Sequence, residues 1–521
     1  MTKYLRKVYQ LLFFSFTAAI FSGAIENQGM IDFYNSFHIF PAVSNIAAHG
    51  VQPFWPVTLL VLACSLFIGR FYCSFLCPVG FLQDLGSALG KKMKTAATSV
   101  KSRRILSLFI IGYCACAVLS ESSLWGWFDH FTNFGRIYNN LVRPSFNGLL
   151  LPFASILNKT SFQIDELSFI FKFDFFYALA LFLALFIGSM YRPRWFCILL
   201  CPSGVIFSFL FNNSFFKIIK DGKCPACHKC EKCCPALSIN DGAVDRQTCV
   251  TCLECIPACP FGTIKGRIAF DLKNEKPDDQ KLNAPRRKFI EKTAIAAIGI
   301  TAAGFSEKLN AFTGATGSKT ILPPGAVSAE AFFSKCTACH LCASSCPTKV
   351  IIPSFLENGF HGLSKPKLDF SRGYCSYECN LCQTVCPNGA INRHDINIKQ
   401  MIRIGEVSLD TSPKSNCMPV KEGKDCGACA EHCPTGAVYM KRKGDVFIPE
   451  LRKKYCIGCG ICEHACPISE NKPIFVKPVG AQKMVPLFKD AKDKDIPVSK
   501  NPQSRNTPEP GVNNKIEEFP F

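Results

Sequence analysis

Apolar residues concentrate in the first part of this chain, and the remainder is polar. Four segments are mostly apolar and approach the length of about 20 residues that a membrane-spanning helix needs. They are residues 8–25, 54–69, 105–120 and 173–190. The pattern predicts an α-helical membrane unit of four transmembrane helices, followed by polar domains.

Lysine and arginine are distributed asymmetrically around these apolar segments. The loop of residues 26–52 contains neither, whereas basic residues precede the first segment and follow the second and the fourth. Because basic loops stay on the cytoplasmic side of a membrane, both ends of the membrane unit are predicted to face the cytoplasm. These flanks account for much of the formal net charge of +20, so a lipid bilayer is the predicted partner and nucleic acid is not.

A second targeting signal lies in the middle of the chain. Arg286 and Arg287 are followed by Phe289 and by a mildly apolar run at residues 293–305, which is typical of a twin-arginine export signal. We therefore expect the chain beyond this run to be periplasmic and the run itself to remain as a fifth anchor helix. The alternative is an amphipathic linker helix.

Cysteine is the most informative residue type, with 32 copies in 521 residues. Six runs approach the spacing C-x2-C-x2-C-x3-C-P, which is that of bacterial ferredoxins and differs from zinc and disulfide patterns. In a two-run ferredoxin the fourth cysteine of each run ligates the other cluster. The first two runs therefore predict one cluster on Cys224, Cys227, Cys230 and Cys259, and a second on Cys249, Cys252, Cys255 and Cys234. Cys233 competes with Cys234, which has the regular spacing and precedes a proline.

The other four runs follow the export signal and predict a four-cluster domain. Two of them depart from the regular spacing, with three residues between Cys375 and Cys379 and eight between Cys417 and Cys426. The runs are Cys336, Cys339, Cys342, Cys346; Cys375, Cys379, Cys382, Cys386; Cys417, Cys426, Cys429, Cys433; and Cys456, Cys459, Cys462, Cys466.

The membrane unit carries an internal repeat with cysteines of its own. A C-x3-C-P motif follows the second apolar segment at Cys73 and Cys77, and another follows the fourth at Cys197 and Cys201. Residues at i and i+4 share one helix face, so the four sulfurs are predicted to meet around a pseudo-two-fold axis and to hold a seventh iron–sulfur cluster at the cytoplasmic membrane surface. Unliganded thiols that pack or form a redox pair are the alternative. His38 and His130 are interpreted as packed or surface residues.

These patterns together predict a multi-domain chain with α-helical membrane and α+β ferredoxin-like parts. The predicted boundaries are 1–217 for the membrane unit, 218–270 for a cytoplasmic two-cluster domain, 271–306 for a linker with the signal, 307–330 for a second linker, 331–475 for the periplasmic four-cluster domain, and 476–521 for a disordered tail.

The order of these features resembles the ferredoxin-type quinol dehydrogenase family of NapH and NapG, or MauN and MauM, with the membrane and periplasmic subunits fused in one chain. The features are four apolar segments, two C-x3-C-P motifs, a two-cluster ferredoxin, an arginine pair and four further runs. The resemblance implies oxidation of menaquinol or another quinol and transfer of electrons through six [4Fe–4S] clusters to a periplasmic redox enzyme or cytochrome. It also implies a bacterial inner-membrane location, other subunits and a role as the quinol dehydrogenase subunit of a larger oxidoreductase, in anaerobic respiration.

The resemblance further implies a nested pairing of the last four runs. The sets are Cys336, Cys339, Cys342 with Cys466; Cys456, Cys459, Cys462 with Cys346; Cys375, Cys379, Cys382 with Cys433; and Cys417, Cys426, Cys429 with Cys386. Pairing of successive runs is the alternative.

Two other functions stay open from the sequence. One is a transmembrane conduit that carries electrons from a cytoplasmic ferredoxin to the periplasm without quinone. The other is a redox-sensing or maturation factor. The sequence leaves undecided how electrons pass between the two membrane faces.

Overall fold

The computed structural model describes residues 2–51, 53–90, 123–146, 173–212, 214–221, 224–225, 227–240, 243–246, 248–268, 319–359 and 362–486. The third predicted span, the twin-arginine segment with its anchor helix, and the chain beyond residue 486 lie outside the described residues.

The part of the chain predicted to be a membrane unit, which keeps that name below, consists of helices that begin and end at recognisable sequence signals. Asn27 caps the second helix by accepting a hydrogen bond from the Met30 backbone N–H, and prolines occupy the first turns of the fourth and sixth helices, where no N–H is needed. The helices are α1 Thr2–Ser22, α2 Gln28–Ser36, α3 Ile39–His49, α4 Trp55–Ile68, α5 Phe71–Phe75, α6 Pro78–Leu89, α7 His130–Ile137, α8 Phe173–Tyr191, α9 Trp195–Leu199 and α10 Pro202–Asn212, with a 3-10 turn at Ser123–Trp127 and a π turn at Tyr138–Val142.

Three of the four predicted spans coincide with helices, namely α1, α4 and α8. Among the described helices, the Asp174–Tyr191 part of α8 is long and apolar enough to cross a membrane, and α4 is apolar but shorter. Large apolar side chains on α4 and α8 are exposed, including Leu60 at 62% and Phe176 at 52%. A four-helix crossing therefore stays a prediction, and one crossing helix is supported by its length and composition.

The two-cluster domain is built from two antiparallel strand pairs and two short helices. β1 Phe216–Lys220 pairs with β4 Ile264–Ile268, and β2 Ile239–Asn240 pairs with β3 Ala243–Val244. The helices are α11 Lys229–Cys233 and α12 Cys255–Ala258. The predicted boundary after residue 217 falls inside β1 and is wrong, because Phe216 and Lys217 pair with the last two residues of β4.

The four-cluster domain is likewise built from short helices and antiparallel strand pairs. Its elements are α13 Ala329–Lys335, α14 Leu341–Ser344, β5 Ile351–Pro353, β6 Pro366–Leu368, α15 Leu381–Thr384, α16 Ile396–Lys399, β7 Ile402–Leu409, α17 Met418–Lys421, α18 Ala428–Glu431, β8 Val438–Lys443, β9 Val446–Leu451, a 3-10 turn Lys453–Tyr455, α19 Ile461–His464 and β10 Ile474–Met484. All strand pairs are antiparallel: β5 with β6, β8 with β9, and β10 with β7.

Both predicted limits of this domain are wrong. Upstream, Leu322 is buried and Ile321 forms a bridge with Leu368, so the predicted linker already belongs to the domain. Downstream, β10 runs through Met484 and pairs with β7, where a disordered tail was predicted from residue 476. Pro478 and the adjacent irregularity in register interrupt the alternation by which a strand is recognised in sequence.

Candidate iron–sulfur sites

Successive cysteine runs of the four-cluster domain share their sites. Three cavities are each lined by the first three cysteines of one run and the last cysteine of a neighbouring run. The sets are Cys336, Cys339, Cys342 with Cys386; Cys375, Cys379, Cys382 with Cys346; and Cys417, Cys426, Cys429 with Cys466. Cys433 in turn lies near Cys456, Cys459 and Cys462.

The nested pairing is therefore wrong, and the structure has the sequential one. The reason is the packing of the short helix within each run. α14 packs on α15, and α18 packs on α19. The last cysteine of a run directly follows this short helix. It therefore reaches the site of the neighbouring run, against which the helix packs.

The two-cluster domain brings together the second predicted set of cysteines, and the placement of Cys259 in the first set stays a prediction. Cys234 lies near Cys249, Cys252 and Cys255. Cys224 lies near Cys230, while Cys259, in the turn after α12, has its Sγ 3.2 Å from the Thr263 Oγ1.

Cys233 lies near the same cysteines but its thiol is hydrogen-bonded to the backbone. Its thiol donates hydrogen bonds to the backbone carbonyls of Cys230, at 3.2 Å, and Glu254, at 3.7 Å. The geometry therefore favours Cys234 over Cys233 as the ligand beside the second run.

The regular runs share an unusual backbone. In three of the four, the residues on both sides of the middle cysteine have positive φ: Thr251 and Leu253, Ala338 and His340, and Gly458 and Gly460. In the first run His228 has φ 52°, and the residue before Cys227 lies outside the described part of the chain. Alternation of right- and left-handed residues turns successive N–H groups into one concavity, which binds anions and iron–sulfur clusters. Non-glycine residues with positive φ cost on the order of 1 kcal/mol each and persist where a site requires them.

This backbone is absent from the two irregular runs. Asn380, after Cys379, has φ −129°, and Gly427, after Cys426, has φ −119°. The extra residues before these two cysteines thus change the local conformation as well as the spacing.

Burial determines the acid–base state of these thiols. It raises the pKa of Cys249 to about 11 and that of Cys459 to about 12, because a thiolate is poorly solvated there. These two thiols stay protonated at neutral pH unless a cation replaces the proton, as iron does. At the partly exposed Cys259, hydrogen bonds, the strongest of them with Thr263, instead lower the thiol pKa to about 7. Among the described residues, no group of three or more His, Cys, Asp or Glu side chains is suited to one metal ion, whereas a cubane cluster fills the space between separated sulfurs.

The four membrane cysteines meet in the interior of the membrane unit. Cys73, Cys77, Cys197 and Cys201 are 1–5% exposed, and the Cys77 thiol is hydrogen-bonded to the Cys197 sulfur. The grouping agrees with the repeat, and binding of a cluster by it stays a prediction. The sulfurs lie within the protein core rather than at its surface.

Each repeat contributes an arginine to the other repeat. Arg70 donates from Nη2 to the Cys197 carbonyl oxygen at 2.8 Å, and Arg194 donates from Nη1 to the Cys73 carbonyl oxygen at 2.6 Å. Both arginines stand three residues before the first cysteine of their own motif. The crossed contacts give the site its pseudo-two-fold geometry, and sequence reasoning recorded these basic residues without a role.

A buried carboxylate orients one of the two guanidinium groups. Asp84 accepts two hydrogen bonds from Arg194, at 2.7 and 2.6 Å, and one from Arg6 at 3.0 Å. The hydrogen bond from Cys77 and, after it, the charges of Arg194 and Arg70 lower the pKa of the Cys197 thiol. Fixed positive charge beside four thiols suits an anionic cluster.

Two histidines and a tyrosine lie beside this site. The Cys201 sulfur lies 3.8 Å from His130 Nδ1. The Tyr72 hydroxyl lies 2.8 Å from His130 Nε2 and 2.6 Å from His38 Nδ1. Both histidines are packed, which is one of the two predicted outcomes, and they are at most 1% exposed. Tyr72 was missed, although it directly precedes the first cysteine.

Both ferredoxin domains contact the membrane unit at this site. From the two-cluster side, the Val250 carbonyl accepts a hydrogen bond from Ser74 Oγ, next to Cys73 and Cys249. From the other side, α7 begins at His130, and its last turn reaches the four-cluster domain, where Arg136 donates to the Thr337 carbonyl oxygen at 3.0 Å.

Comparisons with known proteins agree with this division of the chain. A family model described as a 4Fe-4S binding domain matches residues 53–95 and 175–220, which hold the two C-x3-C-P motifs. A second, described as a 4Fe-4S dicluster domain, matches residues 335–390 and 424–469. The first dicluster match contains the first two runs, and the second contains the last two apart from Cys417, in agreement with the sequential pairing.

Three ferredoxin-type relatives cover most of their own length. The chain is 28% identical to the ferredoxin-type protein NapG of Escherichia coli over 38% of this chain and 87% of NapG. It is 26% identical to the methylamine utilization ferredoxin-type protein MauM of Methylobacillus flagellatus, over 38% of this chain and 86% of MauM. It is 26% identical to the E. coli ferredoxin-type protein NapF, over 29% of this chain and 83% of NapF.

No solved structure matches the chain significantly. The cysteine runs, their sites and these matches lead to one conclusion about the molecule: it is an iron–sulfur, ferredoxin-type electron-transfer protein related to the Nap and Mau proteins.

Proposed function

We propose that this chain carries electrons from membrane quinol through [4Fe–4S] clusters to a periplasmic redox partner, as a fusion of NapH-like and NapG-like parts. The observation that supports it best is the position of the four membrane cysteines between the two ferredoxin domains. The 24 cysteines of the soluble runs would hold six clusters and the membrane cysteines a seventh, each of which supplies reversible one-electron transfer.

The four-cysteine site supports a continuous path between the domains. Cys201 contacts His130 at the start of α7, and Arg136, six residues later, contacts the Cys336–Cys339 segment through Thr337. At 1.5 Å per residue this helix spans about 9 Å between the two contacts. A single helix would therefore join the membrane site to the first site of the four-cluster domain.

The length of α1 supports placement of the two domains on opposite sides of a membrane. Near its start, Arg6 forms an ion pair with Glu254 of the two-cluster domain at 2.7 Å. Just past its end, Gly23 packs against the Ser344 backbone of the four-cluster domain. The 17 residues between correspond to about 25 Å, close to the hydrocarbon thickness of a bilayer, about 30 Å.

In this scheme quinol reaches the membrane unit from the bilayer. It gives up two electrons and two protons and leaves as quinone, and the electrons depart singly. The two-cluster domain would face the cytoplasm of a bacterial inner membrane, and the four-cluster domain would face a periplasmic enzyme or cytochrome. Such a chain would act as the quinol dehydrogenase subunit of a larger complex.

A second candidate is a conduit from a cytoplasmic ferredoxin, without quinone. The contact between Ser74 and Val250 favours it, because the Cys249 site then lies beside Cys73. In this candidate the two-cluster domain would donate electrons to the membrane site. In the quinol candidate it would lie on a side branch of the electron path.

Anaerobic reduction in proteoliposomes tests both candidates. A menaquinol analogue should reduce the wild-type four-cluster domain and should fail with a Cys73→Ala/Cys197→Ala variant. A Cys249→Ala/Cys252→Ala variant disables the two-cluster domain and should still be reduced by quinol. Reduction by low-potential ferredoxin alone, lost in that last variant, would replace the quinol proposal by the conduit.

A further inference from the structure

Arg136 is a permanent cation buried at the boundary between the membrane unit and the four-cluster domain. It is 2% exposed, and among the described residues no carboxylate lies within ion-pair distance of it. Its Nε is buried without a hydrogen-bond partner. A guanidinium group in such a place is costly unless an anion compensates it.

The groups that contact Arg136 do not neutralise its charge. Nη2 donates to the Thr337 carbonyl at 3.0 Å, and Nη1 lies 3.5 Å from the Asn133 Oδ1 and the Tyr177 hydroxyl. The guanidinium carbon lies 4.6 Å from the centre of the Trp127 ring. These contacts orient the group but are all neutral.

The direction of the guanidinium group identifies the missing anion. Thr337 stands between Cys336 and Cys339, and the charge of Arg136 acts on both thiols. A cluster on four thiolates is an anion in both oxidation states and gains one further negative charge on reduction. Its potential depends on the net charge around it.

We propose that the charge of Arg136 raises the reduction potential of the neighbouring cluster, which is held by Cys336, Cys339, Cys342 and Cys386. Arg136 belongs to the membrane unit and acts on that cluster as a positioning residue. This inference rests on the proposed function, in which that cluster is the first acceptor beyond the membrane site. The acceptor gains one electron, the membrane site loses one, and no proton is transferred. Because the arginine comes from the other domain, docking and the driving force for transfer are coupled.

The test is a potentiometric titration of the full-length protein in detergent, with dithionite and mediators, followed by electron paramagnetic resonance. The signal of this cluster is assigned by its loss in a Cys339→Ala variant. Arg136→Gln should shift the reduction equilibrium about ten-fold toward the oxidised form, which is about 59 mV for one electron. Arg136→Lys keeps the charge and should restore most of the wild-type potential.

Two further variants separate charge from packing. Asn139→Ala removes neutral docking contacts with His340 and Ser344 in the same interface and should leave the potential unchanged. Asn133→Asp leaves Arg136 in place but gives it a carboxylate, and should lower the potential even if Arg136→Gln does not fold.

The inference is overturned by an unshifted potential in Arg136→Gln, or in Asn133→Asp where the former fails to fold. It is also overturned if Arg136→Lys shifts as far as Arg136→Gln, or if Asn139→Ala shifts equally. The titration does not involve quinol. Loss of quinol reduction with a normal Arg136 effect would therefore contradict only the proposed function.

Discussion

The soluble cysteine runs and the membrane cysteines form a four-sulfur site in different ways. In a regular soluble run, three sulfurs come from seven consecutive residues, such as 336–342, and positive-φ residues bend the backbone around them. In the membrane unit, each repeat supplies one sulfur from a short helix, Cys73 in α5 or Cys197 in α9, and one from the residue just before the next helix, Cys77 or Cys201. The site forms only where the two repeats meet. There the crossed arginine side chains hold the cysteine segments together, as the local backbone does in the runs.

The two kinds of site are therefore sensitive to substitution at different places. A run depends on its own spacing and on one cysteine from a neighbouring run. The membrane site depends on tertiary contacts between segments more than 100 residues apart. Substitutions in the two kinds of site should therefore have different consequences.

Removal of two membrane cysteines is the most direct test of the comparison. A Cys73→Ala/Cys197→Ala variant should lower iron and acid-labile sulfide from about 28 to about 24 per chain, because one of seven cubane clusters is lost. Cys64→Ala, in an apolar helix without ligand spacing, is the matched control and should retain about 28. Equal iron in wild type and double variant would mean that the membrane thiols hold no cluster.

Paired cysteine substitutions test which runs share a site. Cys339 and Cys386 are assigned to one cluster, so Cys339→Ala/Cys386→Ala should lose about four irons, no more than Cys339→Ala alone. Cys386 and Cys429 belong to different clusters, so Cys386→Ala/Cys429→Ala should lose about eight. The nested arrangement predicts the reverse, with the smaller loss in the second pair.

Arg194 tests whether the membrane site depends on its crossed arginines. Arg194→Gln breaks a buried ion pair with Asp84 and leaves that carboxylate without its closest partner, which should cost about 3–5 kcal/mol in the free energy of unfolding. Chemical denaturation in detergent measures this, and iron content should fall toward that of the cysteine variant. Lys265→Ala removes an exposed ion pair with Asp221 and should cost at most about 1 kcal/mol. Similar losses in the two variants would contradict the proposed dependence.

Sequence reasoning succeeded for sites encoded by local spacing. The grouping of Cys234 with the second run followed from the regular motif, and the four membrane cysteines were brought together by recognising a repeat. It failed for the last four runs, because their pairing depends on which short helices pack together, and spacing is the same for nested and successive arrangements. The departures at Cys375 and Cys417 gave no information on this point.

Other failures have the same physical origin. Arg136 and Tyr72 acquire their roles from residues far away in the chain, so no local pattern singles them out. Strand β10 was taken for disordered chain because Pro478 and a shift of register hide its alternation. The positive-φ pair, by contrast, is readable in the Gly458–Gly460 run, where glycine occupies both positions.

The smallest expected effect concerns the backbone of a regular run. Ala338 has φ 59° and is 1% exposed, so its backbone is strained by about 1 kcal/mol. Ala338→Gly relieves that strain and gives the unfolded chain more freedom, which opposes the gain. We expect a net stabilisation under about 1 kcal/mol, with iron content unchanged, because Gly458 already occupies the equivalent position of another run.

The matched control is Ala437→Gly, a buried alanine without positive φ. There no strain is relieved, and the substitution should destabilise the protein by about 1 kcal/mol through lost burial and added freedom of the unfolded chain. Opposite signs in the two variants, measured by denaturation of the iron-loaded protein, would show that the run stores strain around its ligands. Equal destabilisation would mean that the run holds its ligands without backbone strain. The difference between the soluble runs and the membrane site would then lie only in the spacing of their sulfurs.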